Sequence, residues 1–152
     1  MIYCDTSFLM ALYLDVDVFH GQALSIAAKF KEPIPYTLLS ELELTNGLHR
    51  NLATQFITEA EHASLFRQIS GDEASGILVR HPLHQADHFA KARELSKKFT
   101  PETGARSLDI LQVAAALLLK VGEFATFDER QRNLAIKAGL KTISSVTIKK
   151  KL

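Results

Sequence analysis

Short apolar runs alternate with amphipathic segments along the whole chain, and this alternation constrains the fold more than any other feature. "MIYC", "PIPY", "GILVRH", "FATF" and "KTISS" are too short for helices. The segments between them, such as "LLSELELTNGLHRNL" and "HQADHFAKARELSKKF", repeat their apolar residues at helical spacing. Two strands joined through a helix run parallel, and a parallel sheet carries helices on both faces. The expected fold class is α/β, a three-layer α/β/α arrangement with a short central parallel sheet flanked by helices. At 152 residues, with neither internal repeat nor linker, the chain reads as a single domain over 1–152 that can bury a core without staples.

Local signals refine this outline. Asp17 is a candidate cap for the helix in "VDVFHGQALSIAAKF", and two prolines hold "EPIPYT" extended. Thr58 and Glu61 stand at capping-box spacing. "TPETGAR" reads as a loop, Gly122 as the stop of "SLDILQVAAALLLKVG", and Gly139 as the stop of "DERQRNLAIKAG". Phe124–Phe127 reads as a buried strand that ends on Asp128.

Composition excludes several classes. A formal net charge of +1 gives no global field for nucleic acid, so any such contact must come from local patches. The single cysteine, Cys4, allows no internal disulfide and fits a reducing, cytoplasmic setting. No apolar run is long enough to span a membrane, and the apolar start lacks a basic leader, so a signal peptide is not expected. The terminal "KKKL" is too short for a nucleic-acid patch and reads as a solvated end.

The chemistry lies in the acids. Ligands of open parallel sheets gather beyond the carboxyl ends of the strands. Asp5 closes the first strand and Asp128 the "FATF" strand, so both belong on one rim. Asp109 opens the helix leading into that second strand, and Glu43 lies in the first turns of the helix after "PIPYT"; both can reach the same rim. Four converging carboxylates repel unless a cation is present or some take up protons. An oxygen-only set suits Mg²⁺ or Mn²⁺ rather than zinc, and such an ion serves phosphodiester cleavage. Each acid also has a plainer reading. Asp5 and Asp128 can cap the helices that follow them, Asp109 can complement a helix dipole, and Glu43 can be a helix former beside Glu41. Independent caps, however, need not share a rim.

At these residues the chain resembles the PIN-domain family, in particular the toxin ribonucleases of VapBC-type toxin–antitoxin pairs. The matching stretches "YCDTSFL", "ELELTNGL", "RSLDILQVAAAL" and "FATFDERQRNLAIKAGL" lie in the family's order over nearly the whole chain. The resemblance implies a Mg²⁺- or Mn²⁺-dependent endoribonuclease acting on RNA. It implies Asp5, Glu43, Asp109 and Asp128 as catalytic, metal-holding acids, with Thr6, Asn46 and Thr126 in support. Asn46 favours Glu43 over Glu41, which stays open as the alternative; Gly47 stands where the family has alanine. A cognate antitoxin and a homodimer are further implications.

Arg106 and Arg130 flank the proposed site and can hold RNA phosphates, or equally pair with nearby acids. His81, His84 and His88 read as exposed surface, Cys4 as a buried strand residue, and the apolar stripe of "LLSELELTNGLHR" as core rather than a partner helix. Two other functions remain open: a non-catalytic RNA-binding or regulatory module, and an aspartate-based phosphatase or phosphotransfer protein.

Overall fold

The computed structural model describes residues 1–143. Its elements run β1 (Ile2–Cys4), α1 (Thr6–Tyr13), α2 (His20–Ala27), β2 (Ile34–Tyr36), α3 (Leu38–Ala53) and α4 (Glu59–Ala74), then β3 (Leu78–Arg80), α5 (Gln85–Thr103), α6 (Ser107–Leu118), β4 (Glu123–Ala125), α7 (Glu129–Lys137) and β5 (Lys141–Ile143). Every ladder among the described residues is parallel. β4 lies between β1 and β5, and β2 pairs with β3. β2 packs beside β1, so the two ladders together form the middle layer of an α/β/α fold.

Side chains of a strand alternate between faces, and here both faces are buried. Tyr3 and Phe124 are partners in register and stack with ring centroids 5.6 Å apart. They join Leu95, Val113 and Leu134 in a core closed by α5, α6 and α7. Cys4 and Ala125, one residue on, turn into the opposite core with Phe8, Leu44 and Leu48. Burying a Phe or Leu fully stabilises by about 1.5–3 kcal/mol. The strands therefore read as continuous apolar runs. The Cys4 thiol is fully buried, and burial holds its pKa well above the usual value, so it is no nucleophile.

Several local expectations are corrected. Asp17 does not cap α2: its carboxylate accepts from the Phe19 amide in a turn before the helix, whose N-cap is Phe19. "TPETGAR" is mostly helix, because α5 runs through Pro101 to Thr103. Proline at 101 removes only one late hydrogen bond, and Gly104, at φ 61°, makes the left-handed stop. α6 ends before Gly122. Lys120 takes the positive φ, and Gly122 instead donates its amide to the Met1 carbonyl. Strand β4 stops at Ala125, so Asp128 lies three residues past it rather than on its end. His88 is buried, not exposed, and donates from Nε2 to the Leu111 carbonyl at 2.7 Å. The α3 stripe divides: Leu44 and Leu48 are core, whereas Leu38 and Leu42 are exposed. The Thr58–Glu61 capping box is present, and Gly139, at φ 90°, closes α7. The "KKKL" tail and the end of "KTISS" lie outside the described residues.

Gly47 has a packing reason. A Cβ there would stand 2.9 Å from the Met10 sulfur, so its absence lets α1 and α3 approach closely.

Candidate active site

The rim forms because β1 and β4 are adjacent and parallel, which brings their carboxyl ends to one edge. The Asp5 amide continues the ladder by donating to the Ala125 carbonyl at 3.1 Å. A helix then begins at once, and its first amides need acceptors. Asp5 supplies one: Oδ1 accepts from the Phe8 amide at 2.9 Å. The same oxygen accepts from the Ser7 hydroxyl at 2.7 Å, and Oδ2 accepts from the Thr126 hydroxyl at 2.5 Å. Capping alone leaves a carboxylate at the surface, yet Asp5 is only 2% exposed. Burial pushes its pKa up to about 7, with the Asp128 charge adding to the rise and the three hydrogen bonds opposing it.

Asp128 is exposed and caps α7, accepting from the Gln131 amide at 2.8 Å. Its own amide is held by Thr126 Oγ1 at 3.0 Å and by Ser7 Oγ at 3.2 Å. Ser7 also accepts from the Phe127 amide at 2.9 Å. One hydroxyl thus ties the loop after β4 to the carboxylate after β1.

The other two acids meet across α3 and α6. Glu43 is half-buried, and its pKa is raised by burial first and by the charge of Asp109 as well. Gln112 Nε2 donates to Glu43 and, at 3.1 Å, to Thr6 Oγ1. The Gln112 carbonyl accepts from the Tyr3 hydroxyl, which fixes the amide's orientation. Asp109, the third residue of α6, accepts from the Arg106 amide at 2.9 Å. Glu41 points elsewhere, because residues two apart on a helix are about 200° apart. It pairs with Arg80 at 2.7 and 3.1 Å, and Arg80 also reaches Glu73 at 3.6 Å.

Asp5 thus feels the charge of Asp128, and Glu43 that of Asp109. Among the described residues, no three acidic, histidine or cysteine side chains form a ready set for a metal ion. The hydrogen bonds explain the spacing: backbone amides hold Asp109 and Asp128 at their helix starts, and Ser7 and Thr126 hold Asp5. The donor chemistry still suits a hard divalent cation. All candidate ligands are oxygens, and burial, with a smaller push from a neighbouring acid, holds the Asp5 and Glu43 carboxyls above their usual range.

Thr6 and Thr126 lie beside Glu43 and Asp5 respectively. Asn46 lines a cleft of about 470 Å³ that opens from Glu43 between α1, α3 and the start of α6. Arg106 and Arg130 are both exposed on the flanks. Ser7 and Gln112 escaped the sequence reading. Gln112 had a signal, as the one polar residue in the apolar run "ILQVAAALLL", one turn after Asp109. Ser7 had none beyond its closeness to Asp5.

A family profile for the PIN domain matches residues 2–137. A search of curated proteins gives no match. Among solved structures, the chain is similar to VapC20 of Mycobacterium tuberculosis, a sarcin–ricin loop cleaving toxin, with TM-score 0.70 and 17% identity over 92% of this chain and 96% of that one. It is also similar to FitAcB of Neisseria gonorrhoeae, with TM-score 0.65 and 15% identity over 94% and 96%. VapBC2 of Rickettsia felis, bound to a promoter DNA fragment, matches with TM-score 0.66 and 14% identity over 96% and 100%. At these identities the likeness concerns the fold.

Proposed function

The chain belongs to the PIN domain family, and from that premise we propose that it is a Mg²⁺- or Mn²⁺-dependent endoribonuclease. We assign it to a toxin–antitoxin pair, acting in the cytoplasm under the control of a cognate antitoxin and able to form a homodimer. Structures of VapBC and FitAB type resemble it, which supports the antitoxin partner. The observation that carries the enzymatic reading is Asp5, an acid buried at the carboxyl edge of the sheet with no ion pair among the described residues. A buried carboxylate is costly unless something compensates it, and a cap needs no burial.

Asp5, Glu43, Asp109 and Asp128 would hold the cation. When bound, a divalent ion of this kind supplies Lewis acidity and an activated water for phosphodiester hydrolysis. Ser7 and Thr126 fix the Asp5 carboxylate, and Gln112, with Thr6, fixes that of Glu43. Asp109 and Asp128 each give one oxygen to a backbone amide and keep the other for orienting the attacking water or taking its proton. Arg106 and Arg130 offer bidentate contacts to RNA phosphates.

The non-catalytic alternative draws on the lack, among the described residues, of three acids already gathered for a metal ion. The phosphotransfer alternative finds less support, since both Asp5 oxygens already accept hydrogen bonds. Cleavage of structured RNA by purified protein separates these readings. Cutting that needs Mg²⁺ or Mn²⁺, stops with EDTA and is lost in a folded Asp109→Asn variant is the expected result. RNA bound but uncut with either ion favours the binding module.

A further inference from the structure

The cleft that opens from Glu43 continues along α3 toward Arg50 and Thr54. Glu43, Asn46 and Arg50 line it at three- and four-residue spacing, so they share one helix face. Arg50 lies seven residues from Glu43, about 10 Å along the helix axis. Its guanidinium is exposed and, among the described residues, takes part in no ion pair and no side-chain hydrogen bond. Arg80, at the end of β3, is by contrast spent on Glu41 and Glu73. Among the described residues the Asn46 amide likewise makes no hydrogen bond, whereas Asn51 turns back to the Gly47 carbonyl at 2.8 Å. Leu108, 48% exposed at the start of α6, gives the cleft an apolar wall opposite this polar stripe.

We propose that this cleft is a nucleotide subsite beside the cutting site, in which Arg50 holds a phosphate neighbouring the scissile one. The inference rests on the ribonuclease reading above. A free guanidinium in a groove presents a planar fork of donors suited to a phosphate. A sugar or base set against Leu108 needs no particular sequence, so Arg50 sets affinity and strand direction, not base choice. Asn46 lies between Glu43 and Arg50 on that face and offers its amide to the intervening sugar or phosphate.

Binding of a fluorescein-labelled poly(U) 12-mer, followed by anisotropy in EDTA over a salt series, tests the subsite. Arg50→Gln is expected to weaken binding roughly tenfold at low salt. It should also flatten the slope of log K against log salt by about 0.7, the value for one phosphate of a single strand. Arg50→Lys should keep most of the slope, and Arg67→Gln, on the exposed face of α4, should change neither quantity. A structural loss would lower the melting temperature without removing one phosphate from the salt slope. With a cleavable RNA, Arg50→Gln should raise KM and leave kcat nearly unchanged. An unchanged slope and affinity in Arg50→Gln, or no poly(U) binding by the wild type, overturns the subsite. Metal-dependent cutting that persists in that variant would leave the ribonuclease reading intact. Absence of cutting with any divalent ion would sink that reading, whatever Arg50 does.

Discussion

Asp5→Asn should stabilise the metal-free protein, and by an amount that depends on pH. In the folded chain the Asp5 pKa is pushed from 3.8 up to about 7, chiefly by burial. The folded state therefore binds the proton more tightly than the unfolded state. Between about pH 4 and pH 7, stability must fall as pH rises, because the folded chain has to ionise a buried acid. A displacement of this size is worth about 4 kcal/mol at full effect. Asparagine accepts from the Phe8 amide as well as aspartate does, and the Thr126 hydroxyl can turn to accept from its amide. Allowing for imperfect contacts, the gain at pH 8 is about 2–4 kcal/mol, or roughly 5–15 °C in a chain of this length. At pH 4 the two proteins should melt together. The assay is thermal melting in EDTA from pH 4 to pH 8, with the wild type as reference at each pH. Saturating Mg²⁺ should then raise the wild-type melting temperature and move the variant less. An Asn variant less stable than wild type at pH 8, or a difference that does not change with pH, would refute the claim that Asp5 is an uncompensated buried charge.

Glu43→Gln should reduce RNA cleavage by at least tenfold, whereas Glu41→Gln should spare it and only release Arg80; the reverse order would assign the wrong face of α3 to the site. Ser7→Ala should destabilise by about 1–3 kcal/mol in a denaturant titration, since the Phe127 amide loses its acceptor, and should lower activity through the displaced loop of Asp128. Gly47→Leu should destabilise by more than 2 kcal/mol or so, because its side chain meets Met10; an unaffected melting temperature would mean that α1 and α3 are free to separate.

The layered fold was legible because helices cover both faces of the strands, and continuous apolar runs such as Tyr3–Cys4 and Phe124–Ala125 record that double burial. Helix ends were less legible. "TPETGAR" read as a loop, yet a proline in a last turn forfeits little and α5 runs on to Thr103, while Lys120 adopted the positive φ that Gly122 had seemed to serve. His88 read as surface because no acid cluster was expected near it, but the Leu111 carbonyl on α6 satisfies it in the interior. The shared rim of Asp5 and Asp128 was legible because each follows the carboxyl end of a strand in a parallel sheet; that the two strands are adjacent was not. How far each acid turns toward the others depends on Ser7, Thr126 and Gln112, whose contacts span 69 to 121 residues of sequence. No local pattern encodes such contacts.

The central claim is that these four acids hold a divalent cation. Electron paramagnetic resonance of Mn²⁺ titrated into the purified protein tests it most directly, because free Mn²⁺ gives a sharp signal that binding broadens. Binding should be saturable, displaced by Mg²⁺, and lost in the doubly substituted Asp5→Asn, Glu43→Gln protein. Wild-type protein that leaves the free Mn²⁺ signal unchanged, or a double variant that binds as tightly as wild type, would contradict it.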